Sequence, residues 1–412
     1  MKKRNLVLTM LSLLSIITYL DRVFMNVAGK YIKADLHLDN EQFGYILGAF
    51  SIAYALFEIP TGTLGDRIGP RRVLTRVVLW WSAFTALTGS AFNYVYLLII
   101  RFMFGVGEAG AYPNASIVIS RWFPKTETGR AQSYIWAGGR IGGALTPIIV
   151  IPLIHFFGWR VAFFAIGAIG AIWGGVWYFW FRDEPSETNI SKEELELIEA
   201  NRNASNNAHR ISWKVIVRNP NIWRLMLMCH LLFYAAYFFT NWSSTYFQEG
   251  LKLSEKQADK FISLSYFLGA IGCLTGGYLS DLLVKKYGLK FGRRAVGFGG
   301  IILASIFFLL SGIVKNTQIA GYLLAICVLS KDLAQPVAFA TCVDIGKQFS
   351  GTVTGAMNFA GQMGGFFITI LFGVIVKATG HFDYPIFMIA GCLLISAILW
   401  LFIDPTKQLH AE

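Results

Sequence analysis

The chain has 412 residues, 55% of them hydrophobic and 15% charged, where an average soluble domain carries about 25% charged residues. That balance excludes a soluble globular protein and describes an integral membrane protein, long enough for about twelve spans of roughly 20 residues, short connections and one longer linker. The formal net charge of +12 does not imply a nucleic-acid partner, because the basic residues stand in short clusters between apolar runs, where they act as topology signals.

The runs are about twice the length of a membrane-crossing strand and do not alternate, so the spans are helices. The first is expected over Leu6–Val27. Its start, Met1-Lys2-Lys3-Arg4-Asn5 ahead of an apolar run, mimics a signal peptide, yet no small-x-small cleavage site follows and the run leads into Asp21-Arg22. Five more helices are expected over Phe43–Leu64, Val73–Phe92, Val95–Ser120, Ala131–Phe156 and Trp159–Phe181. The polar stretch from Arg182 to Ser212 then reads as a solvated cytoplasmic linker along the membrane surface, with Ser191 and Glu194 as a capping box ahead of a short amphipathic helix. Six further helices are expected over Ile222–Phe247, Phe261–Leu283, Val296–Val314, Ile319–Val343, Val353–Val376 and Pro385–Ile403. The expected division is a six-helix bundle over residues 1–181, a linker over 182–220 and a second six-helix bundle over 221–412.

Alternate connections are basic: Lys2, Lys3 and Arg4; Arg67, Arg71 and Arg72; Arg121, Lys125 and Arg130; and Lys285, Lys286, Lys290, Arg293 and Arg294. The positive-inside rule places these, and both termini, in the cytoplasm of a multi-pass plasma (inner) membrane protein. Cys229, Cys273, Cys327, Cys342 and Cys392 fall in or at the ends of helices without paired spacing, so neither disulfides nor a metal site is expected.

Charges inside the spans carry the functional signal. The stretch Arg101–Asn114, RFMFGVGEAGAYPN, sets Arg101 and Glu108 in an otherwise apolar run. A charge at the centre of a transmembrane helix costs roughly 2.5–3.5 kcal/mol even on insertion scales, so it needs a partner, a cavity or a task. Seven residues at about 100° each return both side chains to one face, about 10 Å apart. Gly105, Gly107 and Gly110 remove bulk beside them, which permits close approach. Asp21-Arg22, Glu58, Arg140 and Lys331-Asp332 complete a balanced intramembrane set.

Arginine grips a carboxylate bidentately and keeps its proton, which suits an anion site in a dry cavity. A carboxylate beside such an arginine is stabilised by it; an anion that occupies the arginine removes that stabiliser and favours proton uptake. With Asp21 and Glu108 protonated, two positive charges are left for an anion to cancel. Two readings stand for Arg140: contact with a second negative group on the ligand, or a structural partner for Glu58 or Asp332. Lys331 and Asp332 project about 100° apart and need not pair with each other; two readings stand for Asp332, as for Glu58: neutralising Lys331, or an arginine across the cavity. Tyr234, Tyr237, Asn241, Trp242, Asn358, Gln362, Gln132 and Tyr134 offer hydrogen bonds either to a ligand or between helices.

The chain also repeats. Gly62-Thr63-Leu64-Gly65-Asp66-Arg67-Ile68-Gly69-Pro70-Arg71-Arg72 follows the second helix, and Gly277-Tyr278-Leu279-Ser280-Asp281 with Gly292-Arg293-Arg294 follows the eighth. The first copy resembles, at every defining position, the G-x-L-x-D-R-x-G-x-R-R signature of the major facilitator superfamily. That resemblance implies an all-α membrane protein with twelve transmembrane helices in two pseudo-symmetric six-helix bundles. The loop reads as a charge clasp that closes the cytoplasmic side, which assigns Asp66, Arg67, Arg71, Arg72 and Asp281 to gating. A narrower resemblance, to the anion:cation symporter family of hexuronate, galactonate and glucarate permeases and vesicular glutamate and sialic acid carriers, rests on several motifs. They are Tyr19-Leu20-Asp21-Arg22, Arg101-x6-Glu108 with GEAGAYPNASIVISRWFP, Tyr237-Phe238-Phe239 with Trp242, and Gly355-x-x-Asn358-x-x-Gly361 with Gly364-Gly365.

This resemblance implies proton carriage by Asp21 and Glu108 and anion binding by Arg22 and Arg101, with Arg140, Tyr237, Asn358 and Lys331 as further substrate contacts. Arg140 departs from the family's sugar-acid members, which commonly have a neutral polar residue there. The same stretch is similar to the Gly-Pro-x-x-Gly-Gly motif of drug antiporters, but Gly139 replaces the proline. The expectation is a proton-coupled importer of a small organic anion such as a sugar acid, working by alternating access as a monomer without a cofactor. The alternative is a proton-coupled antiporter that exports a drug or metabolite. An enzyme is not expected: no nucleophile with its base, metal cluster or phosphate-cradling loop stands at a membrane face.

Overall fold

A bilayer offers backbone groups no water, so each N–H and C=O inside it is satisfied within its own segment, which helices achieve. The computed structural model describes residues 2–38, 40–199 and 213–409 and is almost wholly helical. In chain order the helices are α1 Lys3–Asp35, α2 Asn40–Ile68, α3 Pro70–Gly89, α4 Tyr94–Glu108, α5 Ala111–Trp122, α6 Thr128–Trp180, α7 Lys192–Glu199 and α8 Trp213–Arg218. They continue as α9 Pro220–Asn241, α10 Ser243–Thr245, α11 Glu255–Tyr287, α12 Leu289–Ile313, α13 Thr317–Gly346, α14 Ser350–Thr379 and α15 Asp383–Trp400. Among the described residues nine helical stretches are long and apolar enough to cross a membrane, two of them running over Lys125–Trp180 and Thr317–Val376.

Turn chemistry follows the repeat. Gly69, at φ +89°, separates α2 from α3, where Pro70 supplies a pre-formed first turn, and Gly288, at φ +86°, separates α11 from α12. Gly158, at φ +80°, interrupts α6, and Gly380, at φ +72°, follows α14.

The chain divides into two compact units. One holds Met1–Lys125, Gly138–Arg210 and Gly346–Gly355; the other holds Thr126–Ala137, Ile211–Ile345 and Ala356–Glu412. In the first unit α2 packs on α4 and α3 on α4, and in the second α12 packs on α15 and α11, with α15 on α9. The first unit's core includes Leu20, Phe24, Met25 and Ala28 of α1 against Trp159, Phe163 and Ile166 of α6. Phe24 and Phe163 stack with ring centroids 3.8 Å apart.

Three expected elements differ. Val95–Ser120 is not one continuous helix: it breaks between Glu108 and Ala111, because Pro113 lacks the N–H that would continue the ladder to Ala109. Ile222–Phe247 ends its regular helix at Asn241 and passes through α10 into a π-helical turn over Tyr246–Gly250. The linker is not a bare tether. Ser191 Oγ accepts from the Glu194 N–H at 3.3 Å, but the Glu194 carboxylate accepts from the N–H groups of Lys3 (3.3 Å) and Arg4 (3.2 Å) and pairs with the Arg4 guanidinium at 3.6 Å. A carboxylate on the free N–H groups of a first helical turn is a favourable arrangement, so α7 is docked on the start of α1. Residues 200–212 of the expected linker lie outside the described residues.

Candidate functional site

Close backbone packing fixes the first unit's charged cluster. A Cβ on Gly138 would lie 2.8 Å from Ser12 O, and one on Gly142 2.8 Å from Ile16 Cα, so α6 and α1 meet backbone to backbone in the turns of α1 that lead into Tyr19-Leu20-Asp21-Arg22. Gly105 and Gly110 admit neighbouring side chains close to the Arg101 stretch: their Cβ atoms would lie 3.0 Å from Ala53 Cβ of α2 and 2.8 Å from Val77 Cγ2 of α3. Small residues at helix seams allow such approach.

Within that frame Arg22 Nε donates to Glu108 Oε1 at 2.8 Å. Glu108, the last residue of α4, is fully buried. Asp21 is also buried and accepts from the Thr85 hydroxyl at 3.4 Å, and the charges acting on it are those of Glu108 and Arg101. Arg101 is 2% exposed, yet among the described residues it makes no hydrogen bond or ion pair. Its guanidinium instead lies over Phe104, 4.1 Å from the ring centroid, and 5.5 Å from that of Phe50. Arg22 lies 4.4 Å from the Tyr54 centroid and 5.4 Å from that of Phe50. Ring faces attract such cations by roughly 2 kcal/mol or more when desolvated. Phe50 and Tyr54 were not legible as site residues, because an aromatic in an apolar span gives no signal until an arginine is placed above it.

The other expected contacts are distributed more widely. Arg140, half-buried, sits in α6 within the glycine seam against α1. Of the two readings for Asp332, the structure has the pair with Lys331: the four-carbon lysine arm folds back to the neighbouring carboxylate, and both residues are buried in α13. The Tyr237 hydroxyl donates to Gln362 Oε1, and the Tyr237 ring packs on Gly365. Asn358 is buried in α14.

The clasp residues also differ from expectation. Asp66 accepts not from arginines but from the N–H groups of Gly351 (3.0 Å) and Thr352 (2.7 Å) and from the Thr352 hydroxyl (2.6 Å). It caps the first turn of α14, where the free N–H groups and the positive end of the helix favour a carboxylate. Arg71 turns to α6: its N–H donates to Asp183 Oδ1 at 2.8 Å and its Nε to Tyr178 O at 2.9 Å. Arg67 and Arg72 are exposed and make no ion pair among the described residues.

The second copy caps in the same way. Asp281 accepts from the N–H groups of Gly129 (3.1 Å) and Arg130 (2.7 Å) at the start of α6. Here an arginine does join. Arg293, wholly buried, donates to Asp281 and to Asp344, each at 2.8 Å, to Ser280 at 2.9 Å and to the Thr128 hydroxyl. Asp344 was not anticipated, since a lone aspartate near the end of α13 reads as a helix terminus until Arg293 is seen beside it.

Apolar helices around a buried cluster of arginines and carboxylates are an arrangement that suits a membrane carrier. Residues 11–369 match the Major Facilitator Superfamily, and the chain belongs to that family of transporters. It is 32% identical over 98% of its length, and 94% of the other's, to the "Probable sulfoacetate transporter" of Cupriavidus necator. It is 30% identical to the hexuronate transporter of Bacillus subtilis, over 95% of this chain and 92% of that one. Its fold matches the Escherichia coli fucose:proton symporter with a TM-score of 0.75 over 97% of this chain and 99% of that one, at 14% identity. The structure therefore has the major facilitator fold.

Proposed function

We propose that this protein is a proton-coupled symporter that takes up a small organic anion, such as a sugar acid or a sulfonated carboxylate. The observation that carries the proposal is Arg101: a guanidinium 2% exposed, inside a span, set over ring faces, near the charges of Glu108 and Asp21 but bonded to neither. A buried guanidinium that makes no hydrogen bond or ion pair among the described residues is costly, so the position suits an anionic ligand. The sulfoacetate and hexuronate transporters among its relatives carry anions of that kind.

Coupling follows from the Arg22–Glu108 pair. An incoming carboxylate or sulfonate competes with Glu108 for Arg22, and a proton taken up by Glu108 releases the arginine to the substrate. Asp21 is the second proton site, and Arg140, Tyr237, Asn358 and Lys331 are further substrate contacts. Asp66, Arg67, Arg71, Arg72 and Asp281 act in gating, with the two aspartates capping and releasing helix N-termini as the carrier alternates. We read twelve crossings: the nine stretches, a second pass in each of the two that run over Lys125–Trp180 and Thr317–Val376, and α3. Both termini are placed in the cytoplasm and the bundles over residues 1–181 and 221–412, joined by the linker over 182–220.

Proteoliposomes test the proposal with labelled sulfoacetate, hexuronates and neutral hexoses, with and without an inward proton gradient. Gradient-driven accumulation of an acid and none of the hexoses is expected, and Arg101→Lys is expected to weaken uptake because the planar fork is lost. Uptake of acids that ignores the gradient would overturn proton coupling, and uptake of hexoses alone would overturn the anion site.

A further inference from the structure

A second cationic feature lies away from the Arg22–Arg101 cluster, where α3 and α6 reach the end of their spans. The two helices are tightly seamed further in: a Cβ on Gly167 would lie 3.0 Å from Ala86 N, and one on Gly174 3.2 Å from Leu79 Cδ2. Beyond that seam, between the first turns of α3 and the last turn of α6, is a cavity of about 380 Å³ lined by Arg72, Thr75, Arg76 and Tyr178. Its size falls within the roughly 300–1,000 Å³ of small-ligand sites. Arg72 and Arg76 stand four residues apart on one face of α3.

The nearby carboxylates are already engaged. Asp183 accepts from the Arg71 N–H at 2.8 Å, and Glu184 pairs with Arg121 at 3.6 Å. Arg72 and Arg76 make no ion pair or hydrogen bond among the described residues, and the Tyr178 ring is 43% exposed. Two guanidiniums and a phenol thus converge where the spans meet water, a donor set that matches a phosphate oxyanion. Toward the membrane interior the same two helices expose apolar surface at Leu79, Ile172 and Val176. A cationic cup above an apolar helix face suits one molecule with an anionic head and acyl tails.

We propose that this cavity is a headgroup site for an anionic phospholipid, with the acyl chains lying along the α3–α6 face. Basic pockets between transmembrane helices hold anionic headgroups in this way. Assigning the site to the cytoplasmic leaflet rests on the orientation proposed above, whereas the headgroup chemistry does not.

The test uses the full chain purified in dodecyl maltoside micelles doped with phosphatidylglycerol or phosphatidylcholine, read by thermal stability and by native mass spectrometry of retained lipid. Phosphatidylglycerol should raise Tm and remain as a bound adduct, and phosphatidylcholine should do neither. Each arginine contributes about fivefold to retention, so Arg72→Gln/Arg76→Gln should lose about 25-fold. If that variant does not fold, Arg76→Gln alone should lose about fivefold. Removing the same charge elsewhere, by Lys285→Gln/Lys286→Gln, should leave retention unchanged. The proposal is overturned if the arginine variants keep wild-type retention, if the lysine variant loses as much, or if inorganic phosphate alone reproduces the Tm rise.

Discussion

Glu108→Gln separates the two roles of the Arg22–Glu108 pair. The amide keeps the shape of the side chain and removes the charge that holds Arg22 Nε at 2.8 Å. Two unit charges about 4 Å apart attract by about 4 kcal/mol at an effective dielectric of 20. An anion that must first draw Arg22 from an ionised Glu108 therefore forfeits up to about 4 kcal/mol, or close to 10³-fold in affinity at 1.4 kcal/mol per decade. The wild type should bind its substrate more tightly as pH falls, by up to tenfold per unit where Glu108 takes up the proton. Glu108→Gln should lose the part of that slope that Glu108 supplies and keep only what Asp21 contributes. Equilibrium binding of labelled sulfoacetate or a hexuronate to the detergent-purified protein between about pH 5 and pH 8 measures both slopes. In liposomes the variant should exchange labelled for unlabelled substrate but not accumulate it on a proton gradient. Parallel pH slopes in the two proteins would refute competition for Arg22, whatever the absolute affinities.

Arg293→Ala leaves the buried carboxylates of Asp281 and Asp344 without their cation and should destabilise the protein by about 3–5 kcal/mol, seen as a fall in Tm in detergent; an unchanged Tm would count against the network. Gly142→Val places its Cβ within 2.8 Å of Ile16 Cα, so it should cost about 1–3 kcal/mol by overpacking and weaken substrate binding by shifting α1 under Arg22. Burial pushes Asp404 up, but the Thr406 hydroxyl and N–H and the Lys290 ammonium outweigh it and hold its pKa down to about 2. A depressed carboxylate adds stability that is present above its unfolded pKa of about 3.9 and is lost as pH falls through the folded value. Thr406→Val should therefore flatten the loss of Tm between about pH 4 and pH 2. Glu194→Gln removes the charge that ties α7 to the start of α1, so limited proteolysis of the linker should quicken; an unchanged cleavage rate would show that α7 is held by other contacts.

Most of the architecture was legible, because a bilayer imposes a length and an apolarity on each span that a reader of residues detects directly. The repeat was legible too, through the second-helix loop and its degraded copy, and the intramembrane charges marked their own positions by their cost. Partnership was not legible. Asp66 meets N–H groups 285 and 286 residues away, and backbone N–H groups carry no identity in a sequence. The same holds for Asp344 with Arg293, and for Glu194, whose local pattern pointed to a cap on its own helix while its carboxylate serves another. For Lys331 and Asp332 the residues leave two readings open, because the angle between Cα–Cβ bonds does not bind a long flexible arm, and only the structure shows the pair. Phe50 and Tyr54 stayed hidden because aromatic rings in a span serve equally as packing.

The caps at Asp66 and Asp281 have a consequence for how mutations act on this carrier. Their bonds fall largely on main-chain amides. At 352 and 130 the main-chain donor is one that every residue but proline supplies. At the two glycines the space is as tight as the bonds: a Cβ on Gly351 would lie 2.9 Å from Asp66 Oδ1 and 2.7 Å from Gly62 O, and one on Gly129 2.7 Å from Asp281 Oδ1. Each latch can thus be lost from either side: by removing the carboxylate, or by adding a side chain at the glycine that pushes the carboxylate away.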